Sequence, residues 1–453
     1  MSVLLAPQQA RRNDPAADLI FPRLSQSTSL RRRPTDTVAG TSSEPPHTAG
    51  YANSKRHSTL ETVCRSVVQR RFQQLGPEQV DLLDGSQARR MAKAAIHVHD
   101  PAFYRRATLG GSLGAAESYI QGEWSADNLL EVLRTLAKQM HVVRRVDRGC
   151  PRFLSPFRAA WNGLRRNNRN GSRRNIAAHY DLSNEFFSLM LDPTMTYSAG
   201  IFERPTDSME QATLAKYERI CRKLNLAPSD HLLEIGTGWG GFAIHAAKTV
   251  GCRVTTTTIS QRQYAFARQR IEAEGLTDRI TLLREDYRDL DGTFDKLVSI
   301  EMIEAVGERF LDSYFSQCSR LLTADGMMLL QAITIPDHRY DYYRRSVDFI
   351  QRYIFPGGFL PSFSAIATSL RRRTRFSMLH SEDFGDDYGE TLARWRSKFW
   401  SNIEKVRALG FDERFIRMWH YYLCYCEAGF RERHIGVSQL LLAKPECRRE
   451  RVQ

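Results

Sequence analysis

No stretch of this 453-residue chain approaches the roughly eighteen consecutive apolar residues that a membrane-crossing helix requires. The eight cysteines show no zinc spacing, and Cys424 and Cys426 in CYC are too close for a CxxC clamp. They read as reduced thiols, and no metal site is expected. The opening MSVLLAP is too short for the apolar core of a secretory signal, so the reading is of a cytoplasmic protein. No internal repeat is visible. Acids are the scarcer charge, 51 against 65 Lys plus Arg, which leaves a net +14. The shortage is local: between Arg144 and Arg174 ten arginines stand against one acid, Asp147. Such a block is either a solvated linker or an electrostatic footprint for anionic phosphate, on a membrane surface or on nucleic acid.

What is present sorts into segments. Residues 1–58 are rich in Ser, Thr, Pro and Arg, a composition that predicts a disordered basic tail. From 59 to 141, TLETVCRSVVQRRFQQL and NLLEVLRTLAKQM carry apolar residues at helical spacing and predict a small, partly helical domain. Residues 142–175, ending in WNGLRRNNRNGSRRN, read as an Arg-rich linker. From 176 to 447 apolar strand patterns fall at 231–236, 253–258, 280–285, 294–300 and 326–335, with two late ones near 376–380 and at 440–444. Helical segments separate them, which predicts an α/β, Rossmann-like, doubly wound parallel sheet of about seven strands. An aromatic-rich insertion, 336–375, interrupts the pattern.

The first strand of that domain runs into LLEIGTGWGGFA, 232–243, with glycine at every second position (Gly236, Gly238, Gly240) and Thr237 and Trp239 between them. Glycines there let backbone approach a ligand closely and open a helix whose N-terminus faces it. The next strand, RVTTTTIS at 253–260, lacks the acid that usually grips a dinucleotide ribose. Glu234 precedes the loop where a pyrophosphate would repel it but a cationic amino-acid end would not. EDYRDL at 285–290 brings Asp286 and Tyr287 to the end of the third strand, within reach of an adenine amino group. S-adenosylmethionine meets these demands. Thr258, Ser260 and Gln263 supply neutral partners for its ribose, with Ile259 beside them in the cofactor site, although Ser260 is equally a natural helix cap.

The specific signals lie elsewhere: ESYIQGEW (117–124), NIAAHYDLSNEFF (175–187), LDPTMTYSAGIF (191–202), SIEMIEAVG (299–307), RYIFPGGFLPS (352–362), FGDDYGETLARW (384–395) and YYLCYCEAGFRER (421–433). With these motifs the chain resembles the cyclopropane-fatty-acyl-phospholipid synthases and the related mycolic-acid and 10-methylene (tuberculostearic) fatty-acid methyltransferases, over roughly residues 85 to 445. The resemblance implies a class I S-adenosylmethionine methyltransferase fold. It also implies attack of a cis alkene of an unsaturated phospholipid acyl chain on the sulfonium methyl. A carbocation follows, deprotonated by bound bicarbonate to close a cyclopropane ring. Tyr197 and Ser198 then belong to the cofactor site. Bicarbonate is assigned to Glu304, Tyr388, Gln331 and the backbone of Ala199 and Ile333. Cys426 matches a cysteine long treated as the family's active-site thiol, and the aromatic rings expected around the cation are Tyr197, Phe202, Tyr353 and Phe355.

Two positions depart from the family pattern. Gln331 stands at a histidine position and Ala199 at a cysteine position. QAIT, EMIEAVG and HYDLSN also occur in the tuberculostearic branch, where proton loss takes a different course to a 10-methylene chain. The alternatives are that product or, from the shared catalytic core, a small-molecule N-methyltransferase. Nucleic acid is not expected as a partner, because no NPPY-type motif occurs and the arginines lack interleaved aromatics. An anionic membrane surface on the cytoplasmic face is expected instead, and whether the chain pairs as a homodimer is left open.

Overall fold

The computed structural model describes residues 59–74, 80–84, 93–139 and 182–448. The expected basic tail 1–58 and Arg-rich linker 142–175 lie outside these residues. No helix among the described residues is long and apolar enough to cross a membrane.

Seven strands form the main sheet in the order β6-β5-β4-β7-β8-β10-β9. They are β4 (His231–Ile235), β5 (Arg253–Thr257), β6 (Ile280–Leu283), β7 (Phe294–Ile300), β8 (Leu322–Thr334), β9 (Ser377–Asp383) and β10 (Gly436–Ala443). β10 runs antiparallel to both neighbours, whereas β4 through β8 pair parallel. Successive residues of a strand buried on both faces point to opposite layers. Leu233, Leu297, Leu330 and Leu440 accordingly enter one core, and Leu232, Val298, Leu329 and Leu441 enter the other. Chain order reverses between β4 and β7. In open α/β sheets the crevice beyond the strand ends at such a switch point is where ligands bind.

The helices start where short polar side chains can take up their free amide hydrogens. Ser208 and Gln211 form a reciprocal capping box on Met209–Leu224, and Ser260 caps Gln261–Ala273. The glycine loop needs its glycines: Gly236, Gly238 and Gly240 have φ of 106°, 54° and 87°. A Cβ on the following Gly241 would lie 2.5 Å from the Tyr217 hydroxyl.

The small domain combines helices with a sheet of its own. Between the helices Thr59–Gln73, Ala102–Ile120 and Leu129–Lys138 lies a three-stranded sheet of β1 (Val80–Asp84), β2 (Ala94–Val98) and β3 (Trp124–Ala126). This domain is fastened to the helix Glu413–Arg431. Arg134 meets Glu432 at 2.6 Å, and the Tyr119 hydroxyl meets His420 Nδ1 at 3.1 Å. The insertion after β8 contributes another tie, from the Tyr353 hydroxyl to Glu117 at 2.8 Å.

Candidate active site

A single cavity of about 1250 Å³ runs from the glycine loop, past the ends of β4, β7 and β8, to the small domain. It exceeds the roughly 300–1,000 Å³ of an ordinary small-molecule pocket, so it has room for more than one ligand.

At the glycine-loop end, Glu234 is buried and accepts a 2.6 Å hydrogen bond from Thr256. Thr256 also meets Thr237 at 2.6 Å. The threonine-rich strand without an acid thus serves to hold the acid of its neighbour. Burial pushes Glu234 up to about 8, opposed by the Thr256 bond. A buried carboxylate of this kind is stabilised in its charged form by an arriving cation. The Thr258 hydroxyl bonds Gln263 at 2.9 Å, and the Trp239 indole N–H is fixed to Asn184 at 2.8 Å. Tyr197, Ser198, Gly236, Thr237, Gly238, Trp239, Thr258, Ile259, Gln263, Asp286 and Tyr287 all line the cavity with Glu234. Gly240 and Ser260 stand behind the wall as helix starts. Asp286 differs from expectation in being clamped by Arg288, with bonds of 2.8 and 2.6 Å that preset its orientation.

At the other end, the five residues expected around bicarbonate do not converge on a common point. The Ile333 amide donates to Glu304 Oε1 at 2.5 Å. The Ala199 amide, Gln331 Nε2 and Tyr388 hydroxyl donate instead to Glu301, at 3.1, 2.8 and 2.8 Å. Ser198 Oγ adds a fourth bond to Glu301 at 2.7 Å. A bicarbonate ion does not fit this arrangement, because its donors are taken and two carboxylates, Glu301 and Glu304, face the same space. Glu301 was not among the residues singled out from sequence. Its signal was the first acid in EMIEAVG, directly after the strand beside the switch point.

The two carboxylates differ in surroundings. Glu304 is pushed up to about 8, first by burial and then by the charge of Glu301, and its Oε2 has no hydrogen-bond partner among the described residues. Lys216, wholly buried, donates to Ser198 Oγ at 2.9 Å. Burial lowers Lys216 to about 8 against the pull of Glu301 and Asp192.

The family model for mycolic acid cyclopropane synthetase matches residues 167–440. The chain belongs to this family. A tuberculostearic acid methyltransferase of Mycobacterium tuberculosis is 41% identical over 365 residues, covering 77% of this chain and 83% of its own. The cyclopropane-fatty-acyl-phospholipid synthase of Escherichia coli is 38% identical over 362 residues, covering 78% and 88%. Among solved structures, a mycolic acid cyclopropane synthase complexed with SAH and CTAB superposes with a TM-score of 0.56 at 33% identity. That match covers 60% of this chain and 98% of the solved one. The protein is an S-adenosylmethionine-dependent methyltransferase.

In this family member, burial pushes the Cys426 thiol well up, so it lines the cavity as a neutral thiol; nucleophilic attack needs the thiolate. Two of the aromatics expected around the cation are used elsewhere. Tyr353 is tied to Glu117, and Phe202 lies under the Arg394 guanidinium, 4.3 Å from the ring centre. The other two, Tyr197 and Phe355, do line the cavity, and Tyr422 lines it beside them, with centroid spacings of 6.4 Å for both Tyr197–Phe355 and Phe355–Tyr422.

Proposed function

We propose that this methyltransferase transfers a one-carbon unit from S-adenosylmethionine to the cis double bond of an unsaturated phospholipid acyl chain, with a cyclopropane fatty acid as product. The observation that carries the reading is the continuity of the cavity. It joins the glycine loop to the carboxylate cage and then to apolar residues of the small domain, among them Val68, Phe103, Leu113 and Leu133. An amine substrate needs no such apolar reach.

When bound, S-adenosylmethionine supplies an electrophilic methyl group, which the alkene π pair takes while the sulfur keeps the old bond pair. Glu234 and the loop amides hold the cofactor, and the apolar walls exclude water that would otherwise trap the lipid cation. Tyr197, Phe355 and Tyr422 present ring faces to the positive charge. Loss of a proton from the new methyl group then closes the ring, its C–H pair forming the third bond. A second reading, the 10-methylene product, is favoured by Gln331 and by the 41% identity to the tuberculostearic enzyme. It needs one hydride shift, from the methyl-bearing carbon to its cationic neighbour, before the same proton leaves.

The Arg144–Arg174 block, outside the described residues, would draw the enzyme to anionic headgroups, each charge contributing about 1 kcal/mol near the surface. The test supplies methyl-labelled S-adenosylmethionine and mono-unsaturated anionic phospholipid vesicles, followed by NMR of the released fatty esters. Label in a ring methylene is expected, and label in an exocyclic methylene selects the second reading. Raising the salt should slow either reaction by weakening docking. A protein that binds the cofactor but puts no label into lipid refutes both.

A further inference from the structure

β7 ends at Ile300, and the next residue, Glu301, turns with φ of 50°, a conformation that disfavours every residue but glycine and a few polar ones. Its amide donates to the Gln331 carbonyl at 2.9 Å, which pins the turn beside β8. Strained backbone of this kind persists where the surroundings fix it, often at functional positions.

The cage around the side chain has a fixed donor direction. Lys223 can only donate, and it gives a hydrogen to Gln439 Oε1 at 2.8 Å. Gln439 Nε2 therefore faces Gln331 Oε1, at 3.0 Å, and Gln331 Nε2 must face Glu301. β10 and β8 place these two glutamines directly opposite each other. Ser198 is set in the same way. Its oxygen takes hydrogens from Lys216 at 2.9 Å and Gln331 at 3.1 Å, so its own hydrogen goes to Glu301. Among the described residues, three donors fill Glu301 Oε1, while Oε2 accepts only from Tyr388 and retains capacity for a proton. Glu301 lines the cavity, whereas Gln331 is wholly buried behind it.

We infer that the Glu301 carboxylate is the built-in base of the reaction, doing through the chain itself what a bound bicarbonate would otherwise do. The inference rests on the lipid methyl-transfer reading. A C–H bond of the transferred methyl breaks and its electron pair forms the third ring bond, or the exocyclic double bond after a hydride shift. The proton passes to Glu301 Oε2, and the neutral acid returns it to water when product leaves. Gln331 is a positioning residue that holds the carboxylate in line. The histidine expected at its place would have served a free anion; an amide oriented by Lys223 serves a tethered one.

The experiment measures methyl transfer to mono-unsaturated phosphatidylglycerol vesicles in buffer stripped of carbon dioxide, with and without added bicarbonate. The full-length protein should keep its rate within about twofold, while Glu301→Gly should lose about 100-fold, in the range of general-base contributions. Glycine is at ease at φ 50°, so the variant keeps the turn and should still bind S-adenosylmethionine. It also frees the four donors, so bicarbonate should restore part of its rate. Glu301→Gln still fills the cage and should stay inactive with or without bicarbonate. A wild-type rate that collapses without carbon dioxide and returns with bicarbonate overturns the inference and leaves the lipid function standing. So does a Glu301→Gly enzyme that runs at the wild-type rate without bicarbonate. No lipid product from wild type under either condition, with cofactor binding intact, overturns the function and the base together. If the glycine variant is inactive and is not rescued, the wild-type comparison alone decides.

Discussion

At the glycine-loop end of the cavity, the groups offered to a ligand come from one short run of chain. Residues 234 to 241 provide a buried acid, left-handed glycines and a helix start. At the Glu301 end they come from segments around 198, 301, 331 and 388, and they meet only after β7, β8 and β10 have paired. The first end is adapted to a ligand recognised through backbone and one charge. The second is a rigid set of side chains around a single carboxylate, suited to one proton transfer. Changes at the two ends should therefore separate: the Glu301 end governs turnover and the loop end governs cofactor affinity.

The largest separation is expected from Tyr388→Phe. Its hydroxyl is the single donor on Glu301 Oε2 among the described residues, and burial, reinforced by the Glu301 charge, keeps the phenol protonated. A hydrogen bond to a charged group contributes roughly 1.5–3 kcal/mol, so kcat should fall by about 30-fold. The dissociation constant for S-adenosylmethionine, measured by calorimetry, should not move. A variant that loses affinity and keeps kcat would break the division.

The cofactor end was legible because its signals are local. The strands at 231, 253, 280 and 294 begin where the apolar runs begin, and the glycine loop opens a helix at Gly241 as its place after the first strand suggested. Thr256 escaped notice because the pairing of β4 with β5, which sets it opposite Glu234, is not a local property. The same reason hid the cage. EMIEAVG offered two acids three residues apart, and resemblance favoured Glu304. Only tertiary packing gives Glu301 four donors and leaves Glu304 Oε2 with none among the described residues. β1 and β2 were missed because VDLLD and AAIHV are too short to display a period.

A smaller effect should appear in the pH dependence of cofactor binding. Burial raises free Glu234 to about 8, so near neutrality it is mostly protonated. A bound cation requires the carboxylate, so binding must release a proton wherever the free enzyme still holds one. Affinity should therefore rise with pH between about 6 and 8, by at most about tenfold per unit, and level off above. Calorimetry in buffers of different ionisation enthalpy would count the proton. Glu234→Gln should bind weakly with no slope; a slope that survives would assign the proton to another group.

The smallest effect should come from Gly238→Ala, and it tests how close the ligand comes to the backbone. A Cβ on Gly238 would meet nothing within 4 Å of protein, in contrast to Gly241, whose Cβ would strike the Tyr217 hydroxyl. The cost in the free protein is then only that of placing alanine at φ 54°, about 1 kcal/mol. In a chain of this size that corresponds to a fall of roughly 1–2 °C in Tm. Any further loss that appears in cofactor affinity alone must come from contact between the new methyl group and the ligand. If the loop receives its ligand through the peptide groups themselves, affinity should drop several-fold beyond the stability cost. If affinity is unchanged, the glycine serves the turn alone, and recognition at this end falls to Glu234 and its neighbouring side chains.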